Sequence, residues 1–108
     1  MKRTRCLGVF RDSDYVEVDE VDLRKCRVCG EYSEDYYPWG ESGDMPTFDL
    51  CSCCKVQFGY EDVSIKSIVA YRNRWMSHCK NVVFCNDMYL EYDDILRRIP
   101  QVFLNSQT

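Results

Sequence analysis

The spacing of apolar residues changes character along the chain. Residues 6–10, CLGVF, form a short apolar run that ends in the polar turn RDSD. Val16 and Val18 then alternate with Glu17 and Asp19, the period of a half-buried strand. An N-terminal β-hairpin with strands over 6–10 and 15–21 is expected. Residues 31–46, EYSEDYYPWGESGDMP, are rich in turn formers and predict a loop, with TFDL at 47–50 as a short strand. Beyond Tyr60 the period becomes helical. Asp62 or Ser64 can cap a helix whose stripe is Ile65, Ile68, Val69, Trp75, Met76 and Cys79. Arg72 takes the remaining slot, where its stem can cover apolar surface while the guanidinium reaches an acid. A shorter helix is expected over 92–99, with Asp93 and Asp94 early, Arg97 and Arg98 late, and Pro100 as the stop.

The 108 residues fit one domain, 1–108, in three parts: an N-terminal hairpin extension (1–25), a middle region (26–62) and a helical part (63–108). With 45% hydrophobic and 30% charged residues, the composition is that of a folded chain. No apolar run approaches the roughly 20 residues of a membrane span. The basic start MKRTR leads into too short an apolar stretch for a signal peptide, so a cytoplasmic location is expected.

A reducing compartment changes the meaning of the eight cysteines, favouring metal or thiol chemistry over disulfides. Cys26 and Cys29 form a C-x-x-C followed by Gly30, and Cys51 and Cys54 form a second. Two intervening residues let a tight turn aim both sulfurs at one ion, and glycine suits the left-handed residue that closes such a turn. Two such knuckles supply the closed four-thiolate shell of structural zinc, so one zinc ion held by Cys26, Cys29, Cys51 and Cys54 is expected. The 21 residues between the knuckles are just beyond the common 15–20. The predicted architecture is therefore a small α+β fold. It has zinc-ribbon-like β-hairpins around the knuckles, the N-terminal hairpin, one amphipathic helix and a short C-terminal helix. Cys53 reads as a thiol beside the site. Cys6, Cys79 and Cys85 match no second metal motif and read as packing, and His78 as a helix-end residue.

The net charge of −4 is unevenly spread. Between 31 and 62 stand Glu31, Glu34, Asp35, Glu41, Asp44, Asp49, Glu61 and Asp62 against the single base Lys55, interleaved with aromatics. A knuckle region that grips nucleic acid places Lys and Arg against phosphate, so nucleic acid is a disfavoured partner. Acids interleaved with aromatics have two readings: a solvated loop whose aromatics pack around the metal site, or a face whose aromatic anchors and carboxylates suit a protein partner of opposite charge. Glu34, Asp35, Tyr36, Tyr37, Trp39, Glu41 and Asp44 are the candidate partner-binding residues. No catalytic site is expected: the chain has one histidine and no Gly-rich phosphate loop, and a four-thiolate zinc has no open position for water.

CRVCG, PWGESGDMPTFDL, CSCCKVQFGYED, YRNRW and DILRRIP, covering roughly residues 26–104, resemble the bacterial cysteine-rich CPCC family. Arg27 and Ser52 stand where that family has proline, Gln57 where it commonly has glutamate, and Lys55 where it has glycine. Lys55 predicts a differently shaped second turn. The resemblance implies a zinc-stapled fold, with the knuckle ligands falling on Cys26, Cys29, Cys51 and Cys54. It also implies an immunity protein: a non-enzymatic, antitoxin-like module that binds and neutralises a toxin, with a basic toxin domain as partner. The alternatives are a zinc-ribbon accessory module docking on a cellular machine and a thiol-based redox or metal sensor using Cys53 and Cys54.

Overall fold

The computed structural model describes residues 3–6, 16–41, 43, 45–85 and 87–104. Strands β1 (Arg3–Cys6) and β2 (Val16–Asp19) pair antiparallel, with Arg3 opposite Asp19 and Cys6 opposite Val16. The N-terminal hairpin is present, and its first strand meets the expected one at Cys6. The second strand stops at Asp19, because Glu20–Leu23 turn into the short helix α1 and bury Leu23. Residues 7–15, which include the expected turn, lie outside the described residues.

Helix α2 (Ile65–His78) starts at Ser64, whose Oγ accepts from the Ser67 N–H at 3.1 Å. Asp62, the other candidate cap, is turned inward instead. Ile65, Ile68, Arg72 and Met76 are buried, while Val69, Trp75 and Cys79 are half-buried at the edges of the stripe. Trp75 also lines an open cavity of about 330 Å³ with Tyr71, Arg74 and His78. Arg72 departs from expectation. It is buried, and its guanidinium meets backbone carbonyls in place of an acid: Nε donates to Val28 O (2.6 Å), Nη2 to Arg27 O (2.9 Å) and Phe103 O (2.7 Å).

A second antiparallel pair follows, β3 (Val82–Cys85) and β4 (Met88–Glu91), in register Val82–Glu91 to Cys85–Met88. The sequence reading missed it. Its signal was the alternation in VVFC, in which Val83 and Cys85 are buried and Val82 and Phe84 exposed, followed by the dipeptide Asn-Asp. Helix α3 (Tyr92–Arg98) opens with a capping box between Glu91 and Asp94, and a 3₁₀ turn (Gln101–Phe103) follows Pro100.

One hydrophobic cluster joins these parts. Ile68 and Met76 of α2, Val83 and Cys85 of β3, Ile95 of α3 and Phe103 pack with Val28, Val56 and the knuckle cysteines. Among the described residues, no named strand flanks either knuckle, where ribbon-like hairpins are expected. Each has one isolated bridge, Lys25–Tyr32 and Leu50–Gln57. The expected strand 47–50 is reduced to that second bridge, since Phe48 adopts φ 64 and breaks the extended run.

Candidate metal centre

The two knuckles are built alike. In the first, the Gly30 N–H donates to Cys26 O (2.8 Å) and the Cys26 N–H to Glu31 O (2.9 Å). In the second, the Lys55 N–H donates to Cys51 O (3.0 Å) and the Cys51 N–H to Val56 O (2.8 Å). Gly30 has φ 78 and Lys55 has φ 67, so both turns close through a left-handed residue. The second turn is therefore not differently shaped. A lysine accepts the strained conformation because the hydrogen bonds of the turn hold it there.

The turns face each other so that the first cysteine of each meets the last of the other. Cys26 Sγ lies 3.7 Å from Cys54 Sγ, and Cys29 Sγ lies 3.6 Å from Cys51 Sγ. All four sulfurs lie within 4.8 Å of one another, and each cysteine is at most 1% exposed. Tetrahedral ligation at a metal–sulfur distance of about 2.3 Å requires sulfur–sulfur edges of roughly 3.8 Å. The donor set thus fits a single thiophilic ion. Among the described residues, no other group of three or more His, Cys, Asp or Glu side chains is placed to share one.

The electrostatics of the bare thiols point the same way. Burial pushes Cys26, Cys29 and Cys54 well above the ordinary thiol range. Hydrogen bonds from Cys26, Cys29 and Cys54 pull Cys51 down. Crowded in an apolar space, the four sulfurs resist becoming anions together, and a bound cation removes that conflict.

Distant residues hold the knuckles in place. The Tyr71 hydroxyl donates to Cys54 O (2.7 Å) and Arg98 Nε to Cys29 O (2.7 Å), so the second cysteine of each turn has its carbonyl bound. Arg72 clamps Arg27 and Val28 inside the first turn. The sequence reading gave none of these residues such a role, and only their polar character at helix positions facing the core could have signalled it. Glu31 is also turned in: its Oε1 accepts from Ser52 Oγ (2.7 Å) and Cys51 Sγ (3.4 Å).

The candidate partner-binding residues divide. Glu34, Asp35 and Glu41 are exposed, and Asp44 lies outside the described residues. Tyr36 is half-buried, tilted against Phe58 at 6.3 Å, and Tyr37 is half-buried with Arg24 over its ring at 4.2 Å. For Trp39 the packing reading holds and the partner anchor is corrected: it is a core residue. It is 5% exposed, donates from Nε1 to Asp62 Oδ2 (2.8 Å) and carries the Arg27 guanidinium 3.7 Å over its ring. Among the described residues, exposed apolar side chains include Tyr32 in this stretch, Met45, Phe48, Leu50 and Tyr60 further on, and Phe84, Met88 and Tyr89 on the β3–β4 hairpin.

Fold and site define a small α+β protein organised on a buried cluster of four cysteines able to hold a metal ion. In comparisons with protein-family models, curated proteins and solved structures, the chain matches none. Among the described residues, no helix is long and apolar enough to cross a membrane.

Proposed function

We propose that the cluster holds one structural zinc ion and that the protein is a non-enzymatic binding module of the immunity type, which neutralises a toxin in the cytoplasm by covering its surface. The observation that carries the zinc assignment is the buried, closed set of four sulfurs with edges of 3.6 and 3.7 Å. Cys26, Cys29, Cys51 and Cys54 would hold the ion, whose contribution is to fix the two turns against each other. Four thiolates complete its shell and leave no position for a water nucleophile.

The binding role is supported by the segment around the second knuckle. Met45, Phe48, Leu50 and Tyr60 are all more than half exposed, and the exposed acids Glu41 and Asp49 lie in the same stretch. Apolar anchors with an acidic surround suit a basic protein surface, where charge speeds encounter and apolar contact slows release. The CPCC-like motifs supply the expectation that this partner is a toxin.

The test is affinity capture of the tagged chain from its native host, identification of the partner by mass spectrometry, and reconstitution of the purified pair. A basic partner whose toxic activity is lost on stoichiometric binding is expected. Recovery of a subunit of a large assembly, with its activity unchanged, would replace this function with that of an accessory docking module.

A further inference from the structure

The outer face of α2 carries the opposite charge to most of the chain. We propose that Tyr71, Arg74, Trp75 and His78 form a binding site for a nucleoside monophosphate. The two rings take the base, and the two basic side chains take the phosphate.

The four residues stand at i, i+3, i+4 and i+7, the spacing that gathers side chains on one helix face. Together they line an open cavity of about 330 Å³. Tyr71 and Trp75 are half-buried and packed against the core, and the Tyr71 hydroxyl is held on Cys54 O at 2.7 Å. The aromatic wall is thus set before a ligand arrives, which lowers the ordering cost of binding. Arg74 and His78 are exposed above it. Arg74 leans back over Tyr71, with Cζ 5.8 Å from the ring centroid. That direction carries its charge away from the carbonyl end of the helix, which repels anions.

Charge marks this face out. The chain has 18 acids against 14 Lys and Arg, yet residues 63–86 contain no acid. Elsewhere bases find carboxylates: Lys25 pairs with Asp22 at 3.3 Å and Arg97 with Asp94 at 3.1 Å. Among the described residues, Arg74 and His78 have no such partner. Glu61 acts on Tyr71 from the segment before α2, but it does not line the cavity.

The two halves of the site ask for different chemistry. Half-buried rings stack on a nucleobase, because every base has a π-face. A guanidinium forks onto phosphate oxygens, and an imidazole N–H adds a further donor. A nucleotide joins both groups in one small molecule, and the cavity lies at the lower end of the roughly 300–1,000 Å³ of ligand pockets. A longer strand fits less well. Lys66 and Lys80 do not line the cavity, so no row of cations continues from it, and a net charge of −4 opposes a polyanion.

The experiment titrates the 15N-labelled, full-length protein with AMP, adenosine, inorganic phosphate, a short oligoadenylate and a polyglutamate peptide. Trp39 and Trp75 each give one indole N–H resonance, assigned with Trp75→Phe. AMP should shift the Trp75 resonance and the amides of residues 71–78 saturably in the millimolar range, leaving buried Trp39 unmoved. Adenosine and phosphate should each bind more weakly than AMP. Arg74→Gln alters an exposed side chain, and it should weaken AMP about tenfold while leaving adenosine unchanged. The absence of a saturable shift would overturn the proposal, as would phosphate binding equal to AMP or full AMP affinity in Arg74→Gln. Polyglutamate moving the same resonances at lower concentration than AMP would make this face a dock for an acidic protein instead. An oligoadenylate bound far more tightly than AMP would make it a nucleic-acid surface. All readings come from α2, so failure here leaves the immunity reading standing.

Discussion

Gly30 and Lys55 occupy the same backbone position in the two knuckles, at φ 78 and 67, but only Gly30 is pressed against another element. A Cβ at Gly30 would lie 2.6 Å from Arg98 Cγ and 2.9 Å from Arg98 carbonyl atoms, whereas Lys55 is exposed. Gly30→Ala should therefore cost about 2–4 kcal/mol, combining left-handed strain with overlap against Arg98. Lys55→Gly should be neutral or stabilising by up to about 1 kcal/mol, since relief of strain slightly exceeds the added unfolded-state entropy. Urea denaturation of both variants checks the contrast, and equal losses would show that the Lys55 side chain stabilises its turn and that strain there is not relieved by glycine.

One metal ion per chain is expected from elemental analysis of the purified protein. A Cys26→Ser, Cys51→Ser double variant should lose it, while Cys53→Ser should keep it. Metal retained by the double variant would sink the ligand assignment.

The loaded and chelated proteins should respond to pH in opposite directions. Metal binding requires deprotonated sulfurs, so the loaded protein should release its ion as pH falls. In the chelated protein, burial raises Cys26, Cys29 and Cys54, against Cys51 alone held low. A raised folded pKa gives a contribution that is whole below the unfolded thiol value of about 8.5 and is lost as pH rises past it. Thermal unfolding of the chelated protein from neutral pH upward should show a falling midpoint.

Arg72 gathers carbonyls from both ends of the chain's core, Arg27 and Val28 on one side and Phe103 and Leu104 on the other. Arg72→Met removes every donor and strands buried acceptors, so a loss of about 3–5 kcal/mol is expected. Arg72→Lys should recover little of it, because an ammonium cannot reproduce the planar fork. Chemical denaturation distinguishes these outcomes, and full rescue by lysine would show that charge alone matters.

The two tryptophans should separate. Trp39→Ala truncates a core ring that holds Arg27 and Asp62, so a loss of about 3–5 kcal/mol is expected. Trp75 is half-buried, and Trp75→Ala should cost clearly less. Similar thermal shifts for both would contradict the burial difference.

With a purified basic partner, reversing Glu34 and Asp35 to Lys should slow association, and added salt should do the same. Phe48→Ala or Tyr60→Ala should chiefly speed dissociation. Association insensitive to salt and to these changes would place the interface elsewhere.

By itself the sequence determined what depends on near neighbours. Two residues between cysteines named the four sulfurs that the fold brings together, and apolar period located α2, with Asp62 and Ser64 as candidate caps of which the structure uses Ser64. Charge order and Pro100 did the same for α3, and the capping box adds a local reason. Both signals work because hydrogen bonds within a turn or helix span only three or four residues. Tertiary structure decided the rest. Trp39 reads as a surface aromatic until Asp62, 23 residues later, accepts its N–H. Arg72 reads as a partner for an acid until carbonyls 44 and 45 residues earlier surround it. Arg98 reads as a helix-end cation, yet it holds Cys29 across 69 residues and donates toward the sulfurs of Cys53 and Cys85. No period or spacing encodes such contacts, because they depend on how separate elements pack, and packing is settled only when the whole core closes.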